Sequence, residues 1–165
     1  MRRIALLAAS AALLIGIAVQ PVAARQGSTI VGTAIAVNAD SGEFDHLIAA
    51  VVRADLVDTL NGKRQFTVFA PTDAAFETLF EALGVDGVQD IPVDTLRTVL
   101  LYHVAPGARD SDAVLGSERI RTISKQFLTP SVSGGSAWIN DARIILPDVW
   151  ASNGVIHVID AVLLP

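Results

Sequence analysis

The chain predicts an α+β fold, and three observations carry that expectation. Apolar residues recur at helical spacing over 44–60, 72–84 and 94–102. Short β-rich runs crowd the last third, separated by Asn-Asp and Asn-Gly pairs that suit tight turns. Helices thus come first and strands later, with one early strand at 65–71, which argues against the regular alternation of a doubly wound sheet.

The N-terminus is set apart. Met1-Arg2-Arg3 gives a positive start, and Ile4 to Val19 carries no charge. Val22 and Ala24 supply small residues at the −3 and −1 positions of a cleavage site. This predicts a secretory signal peptide over 1–24, with an uncleaved membrane anchor as the alternative. The apolar run is roughly 16 residues against the ~20 that a bilayer span needs, so no stable membrane span is expected after cleavage. Residues 25–165 are then expected to form a single domain, exported to the periplasm or the medium. Loss of Arg2 and Arg3 takes the formal net charge from −5 to −7.

Within that domain, 25–42 is small and polar, and "NADSG" at 38–42 reads as a loop or helix start. Phe44, Leu47, Ile48, Val51, Val52 and Leu56 form one stripe of an amphipathic helix, and Asn61-Gly62 stops a short helical continuation. "QFTVFAP" at 65–71 is a buried strand ended by Pro71. Thr72 caps the next helix, Asp73 and Glu77 sit at its positive end, and Gly84 closes it. Asp94–Tyr102 is a third helix whose inward line is Leu96, Val99, Leu100 and His103. Two short strands are expected in 118–133, followed by strands at 137–140, 142–146 and 154–164.

Composition excludes several functions. A net acidic chain with scattered Lys and Arg has no cluster with which to displace counterions from nucleic acid. The chain has no cysteine, hence no disulfide and no thiolate metal site. There is no Gly-x-Ser-x-Gly elbow, no phosphate-cradling glycine loop and no His-Glu-x-x-His. His46, His103 and His157 lie in three different elements, and His46, beside Asp45, is expected on a solvated face. Residues 38–45 have the flavour of a calcium loop but lack the alternating acidic ligands and terminal Glu of an EF-hand. Asp110 and Asp112 read as a solvated turn. No enzyme activity, metal or cofactor is expected.

Three stretches carry a resemblance. "FTVFAPTDAAFETL" (66–79), "LLYHVAPG" (100–107) and "SNGVIHVIDAVLLP" (152–165) resemble the three signature segments of the fasciclin domain, in its order and spacing. Residues 29–62 resemble its opening helices. The resemblance implies a sandwich-like wedge of two β-sheets packed with several α-helices, found in secreted and surface proteins. It also implies adhesion or matrix contact without catalysis. Tyr102-His103 matches the family's adhesion-linked Tyr-His pair, and "PDVWASNG" (147–154) is similar to its Asp-Ile segment, with Asp148 followed by Val149 instead. No Arg-Gly-Asp triplet is present.

The candidate interaction residues are therefore Tyr102, His103, Asp148, Val149 and Trp150, facing a protein or glycan at the cell surface. The residues themselves also support structural roles. His103 is placed to donate to a buried group near Thr72-Asp73 or to a backbone carbonyl. Asn153-Gly154 is expected to take positive φ in a tight turn. Val155, His157 and Ile159 should share one face of the last strand, and Ile156 and Val158 the other, with His157 hydrogen-bonded in place. One alternative function is a carrier of an apolar lipid or pigment, with Trp138 or Trp150 lining its site. A hydrolase using His103 or His157 is the remaining alternative.

Overall fold

A computed structural model describes residues 27–165, so the signal-peptide expectation lies outside the described residues. The chain opens with three helices, α1 (Ile30–Ser41), α2 (Asp45–Arg53) and α3 (Val57–Leu60), and then enters strand β1 (Phe66–Pro71). Helices α4 (Asp73–Leu83) and α5 (Val93–Tyr102) follow, then β2 (Val104–Pro106) and the short α6 (Ser111–Leu115). The remainder is β3 (Ile120–Arg121), β4 (Phe127–Leu128), β5 (Pro130–Ser133), β6 (Ser136–Ile139), β7 (Ala142–Ala151) and β8 (Gly154–Ile159).

The main sheet has six strands in the order β2-β1-β8-β7-β6-β5, and β3 and β4 form a separate pair. The α+β expectation holds, but the strands make one long sheet and a minor ribbon, not a sandwich of two sheets. β8 runs parallel to β1, from Phe66↔Gly154 to Pro71↔Ile159, and antiparallel to β7. Strands buried on both faces read as continuous apolar runs, which β1 and β8 do. One face packs Phe66, Val68, Ala70, Ile156 and Val158 against α1, α2, α4 and α5. The other packs Phe69 and Ile159 with Tyr102, Val114, Ile120 and Leu128.

Several boundaries differ from the sequence reading, each for a local reason. Residues 38–41 are the last turn of α1, not a loop. Thr29 caps that helix by accepting from the Gly32 amide, and Gly42 ends it in the left-handed region with φ 68°. β7 continues through Pro147 to Ala151 because register shifts around 144–149 take up the proline and Asp148, whose φ is 60°. β8 stops at Ile159, where the Asp160 carboxylate accepts from the Arg143 amide and the Leu163 amide turns inward to His103. Three short strands, not two, occupy 118–133. The supposed solvated turn at Asp110 and Asp112 begins α6, with Asp110 capping the Ala113 amide.

Candidate functional site

The three signature stretches meet around β1 and β8, and their polar side chains tie neighbouring elements together. His103 ends α5 and is 2% exposed. Its Nδ1–H donates to the Val99 carbonyl at 2.8 Å, and its Nε2 accepts from the Leu163 amide at 2.9 Å. Burial lowers its pKa from 6.5 to about 4, against a smaller raising effect of the Val99 bond. A second proton on this ring would point a donor at the Leu163 N–H, so the neutral ring is the one the site accommodates. Thr72 and Asp73 are not its partners. Thr72 accepts from the Ala75 amide at the start of α4, while the Asp73 carboxylate accepts from the Asp45 and His46 amides at the start of α2.

His157 shows no exposed surface. It lies 5.6 Å from the Phe69 ring, stacked. Nε2–H donates to the Arg109 carbonyl at 2.9 Å, and Nδ1 accepts from the Asp148 amide at 3.2 Å. Desolvation lowers its pKa, and the Arg109 bond with the charges of Asp148 and Asp110 opposes that shift. The two histidines thus use opposite tautomers, and in each both ring nitrogens are engaged inside the chain. Around His157, Arg109 bonds Thr67 through its amide, while its Nε is buried without a partner.

Asp148 is half-buried and accepts from both the amide and the hydroxyl of Ser111, at 2.7 and 2.5 Å. It therefore holds the start of α6 to β7. Val149 is buried in the helix-side core. Tyr102 is buried too; its hydroxyl donates to the Phe127 carbonyl and accepts from the Asn140 side chain. A direct partner contact needs exposed atoms, and of the five candidate interaction residues only Trp150 presents much surface, 45% exposed. Trp138 is half-buried, with its indole N–H donating to the Ser133 carbonyl.

Asn153 is buried and makes a three-way staple. Its Oδ1 accepts from the Ile30 amide at 2.8 Å, and its Nδ2 donates to the Leu60 and Gly62 carbonyls. Ser152-Asn153 form the tight turn between β7 and β8. Gly154, which follows it, has a positive φ of 159° and is needed for space as well, since a Cβ there would lie 2.0 Å from the Phe66 carbonyl oxygen. His46 is only partly solvated. It is half-buried against Phe76 and Phe80, with its ring 5.1 Å from that of Phe80. Asn38, in the calcium-like stretch, accepts from the Phe44 amide and donates to Asp45. Among the described residues, no three His, Asp or Glu side chains gather as a metal-binding group.

Sequence reasoning gave no sign of a cavity of about 140 Å³ on the helix side, between α1, α2, α3 and the sheet. Ile30, Ala34, Ile48, Val51, Val68 and Ile156 are among its wholly apolar lining. Neither tryptophan lines it.

The comparisons with known proteins agree with this geometry. A family model described as the fasciclin domain matches residues 42–165. Protein sll1483 of Synechocystis sp. is 41% identical over 133 residues, covering 81% of this chain and 73% of that protein. Transforming growth factor-beta-induced protein ig-h3 of Sus scrofa is 32% identical over 134 residues, 81% of this chain but only 19% of that longer protein. The solved FAS1 domain pair of the insect cell adhesion molecule Fasciclin I has the same fold, with a TM-score of 0.69 at 19% identity. That match covers 85% of this chain and 52% of that one. The chain belongs to the fasciclin domain family.

Proposed function

We propose that this chain is an exported, non-catalytic interaction module that contacts protein or glycan at the cell surface or in the surrounding matrix. One observation carries the reading: the side chains with chemistry to offer, His103, His157, Asp148 and Tyr102, are all committed to hydrogen bonds within the chain. What is left for a partner is surface, and β7 presents Trp150, Ile145 and Leu146, each more than two-fifths exposed. Partly exposed Trp is a frequent interface anchor. The match to a FAS1 pair from a cell adhesion molecule supports the same role, and the leader-like residues 1–24 support export.

The test is attachment. A strain lacking the gene is expected to lose surface attachment, recovered by the native chain but only weakly by Trp150→Ala. Equal recovery by both would remove Trp150 from the contact; unchanged attachment in the deletion strain would overturn the function.

A further inference from the structure

We propose that the β3–β4 ribbon is the docking face for an acidic polysaccharide, a glycan chain that carries carboxylates at intervals along its length. This deepens the surface-contact reading and rests on it only in taking the chain to work outside the cell. The face is not the one that presents Trp150.

The ribbon concentrates positive charge on an acidic body. Residues 119–127 hold Arg119, Arg121 and Lys125 and no acid, a charge of +3, so the rest of residues 25–165 carries −10 behind that stretch's net −7. Strand alternation sorts the side chains: Ile120, Thr122 and Leu128 are buried, while Arg119, Arg121 and Phe127 are exposed. Arg121 pairs with Phe127 across the ribbon, and the Arg119 guanidinium lies 5.0 Å from the centre of the Phe127 ring. Cations that look dispersed in sequence thus flank one ring on one face.

The presentation is rigid. The Ile123 and Ser124 amides donate to the Val104 and Leu101 carbonyls, and within the turn the Thr122 amide donates to Gln126 and the Lys125 amide to Thr122. Lys125 is exposed in that turn with φ 70°. Glycine or asparagine is the ordinary occupant of this left-handed region, so a lysine holds the position at some backbone cost. A charge kept there against local preference points to a use for the charge.

The chemistry selects the partner. Arginine forks match carboxylates with two parallel hydrogen bonds. Single exposed ion pairs are weak, so an open face with several cations suits a polymer that engages them together. Phe127, 48% exposed, adds an aromatic surface for the C–H face of a sugar ring. An acidic peptide would use a sheet edge for main-chain pairing, and strands of two residues offer almost none. An anionic bilayer calls for an apolar tip free of charge, and Phe127 carries Arg119 over its ring.

The probe is polygalacturonate, titrated into the full chain and followed by calorimetry, with neutral dextran, poly-glutamate and phosphatidylglycerol–phosphatidylcholine vesicles in parallel. Polygalacturonate should bind and dextran should not. Raising the salt about fourfold should weaken binding about tenfold or more, as counterion release at about three contacts requires. Arg119→Gln combined with Arg121→Gln should weaken binding at least about tenfold. Lys125→Gly should weaken it about threefold while leaving the melting temperature unchanged or higher. Trp150→Ala should leave it unchanged. The proposal is overturned if polygalacturonate does not bind, if binding is indifferent to both the arginine pair and Lys125→Gly, or if poly-glutamate or the vesicles bind more tightly. Attachment that still depends on the gene would then leave the surface-contact reading standing, whereas failure of that reading shows in the deletion strain.

Discussion

The two faces of the β1–β8 layer are built on different principles. Toward α6 and the C-terminal tail, the interior is studded with polar groups: His103, His157, Thr67 and the Tyr102–Asn140 pair, each matched to a particular backbone or side-chain partner. Toward α1 and α2, the interior is mostly hydrocarbon around a wholly apolar cavity, with the buried Asn153 tying α1 to the end of α3. Hydrogen bonds are directional, and an unmatched buried group costs about 1–3 kcal/mol, so the first face admits one arrangement. Apolar packing is non-directional, so the second face tolerates changes of volume better than the first. Tyr102, His103 and His157 belong to the first face and have their polar atoms engaged within the chain, while Thr72, Asp73 and Asn153 tie the helix side.

That contrast can be broken most severely where both faces share backbone. Gly154→Ala places a methyl against the Phe66 carbonyl and the Ile30 side chain. We expect a loss of about 4 kcal/mol or more, seen as failure to accumulate folded protein or a collapsed melting transition. On the rigid face, His103→Ala should cost about 3 kcal/mol in chemical denaturation, since it orphans the Leu163 amide and opens a void. An unchanged melting temperature would refute its structural role.

The same histidine makes stability depend on pH. Its folded pKa lies below the unfolded value, so the unfolded chain takes up a proton that the native chain refuses. Its contribution is intact above pH 6.5 and falls as pH drops toward 4, by about 3 kcal/mol in all. His157, also lowered, adds to the loss in the same direction below pH 6.5. On the adaptable face, Ile48→Val should cost no more than about 1 kcal/mol, since the space beside it already exists. At the surface, Trp150→Ala should alter stability by less than about 1 kcal/mol while weakening attachment.

The same division governs what could be read from sequence. β1, α4, α5 and β8 were legible because their burial follows local periodicity, and Thr72, Gly84 and Pro92 mark their ends. Helix α1 was not, because it has almost no amphipathic stripe and its last turn, Asn38 to Ser41, has the composition of a loop. β7 was cut short because Pro147 reads as a break, and only the register shift against β8 reveals how the strand passes it. The half-buried place of Asp148 and the burial of Val149 go with that same irregularity. The His103 link to a backbone carbonyl was foreseeable from its place at the helix end, but its acceptor bond to Leu163 spans sixty residues and leaves no local trace. The cavity is a relation among five elements, α1, α2, α3, β1 and β8, and no single stretch encodes it.

The central claim, that the signature histidines are neutral structural ties, is open to direct measurement. Nitrogen-resolved NMR of the imidazoles between pH 8 and 5 should find His103 protonated at Nδ1, His157 protonated at Nε2, and His103 still neutral at pH 5. A midpoint near 6.5 for either ring, or the reverse tautomers, would contradict the account.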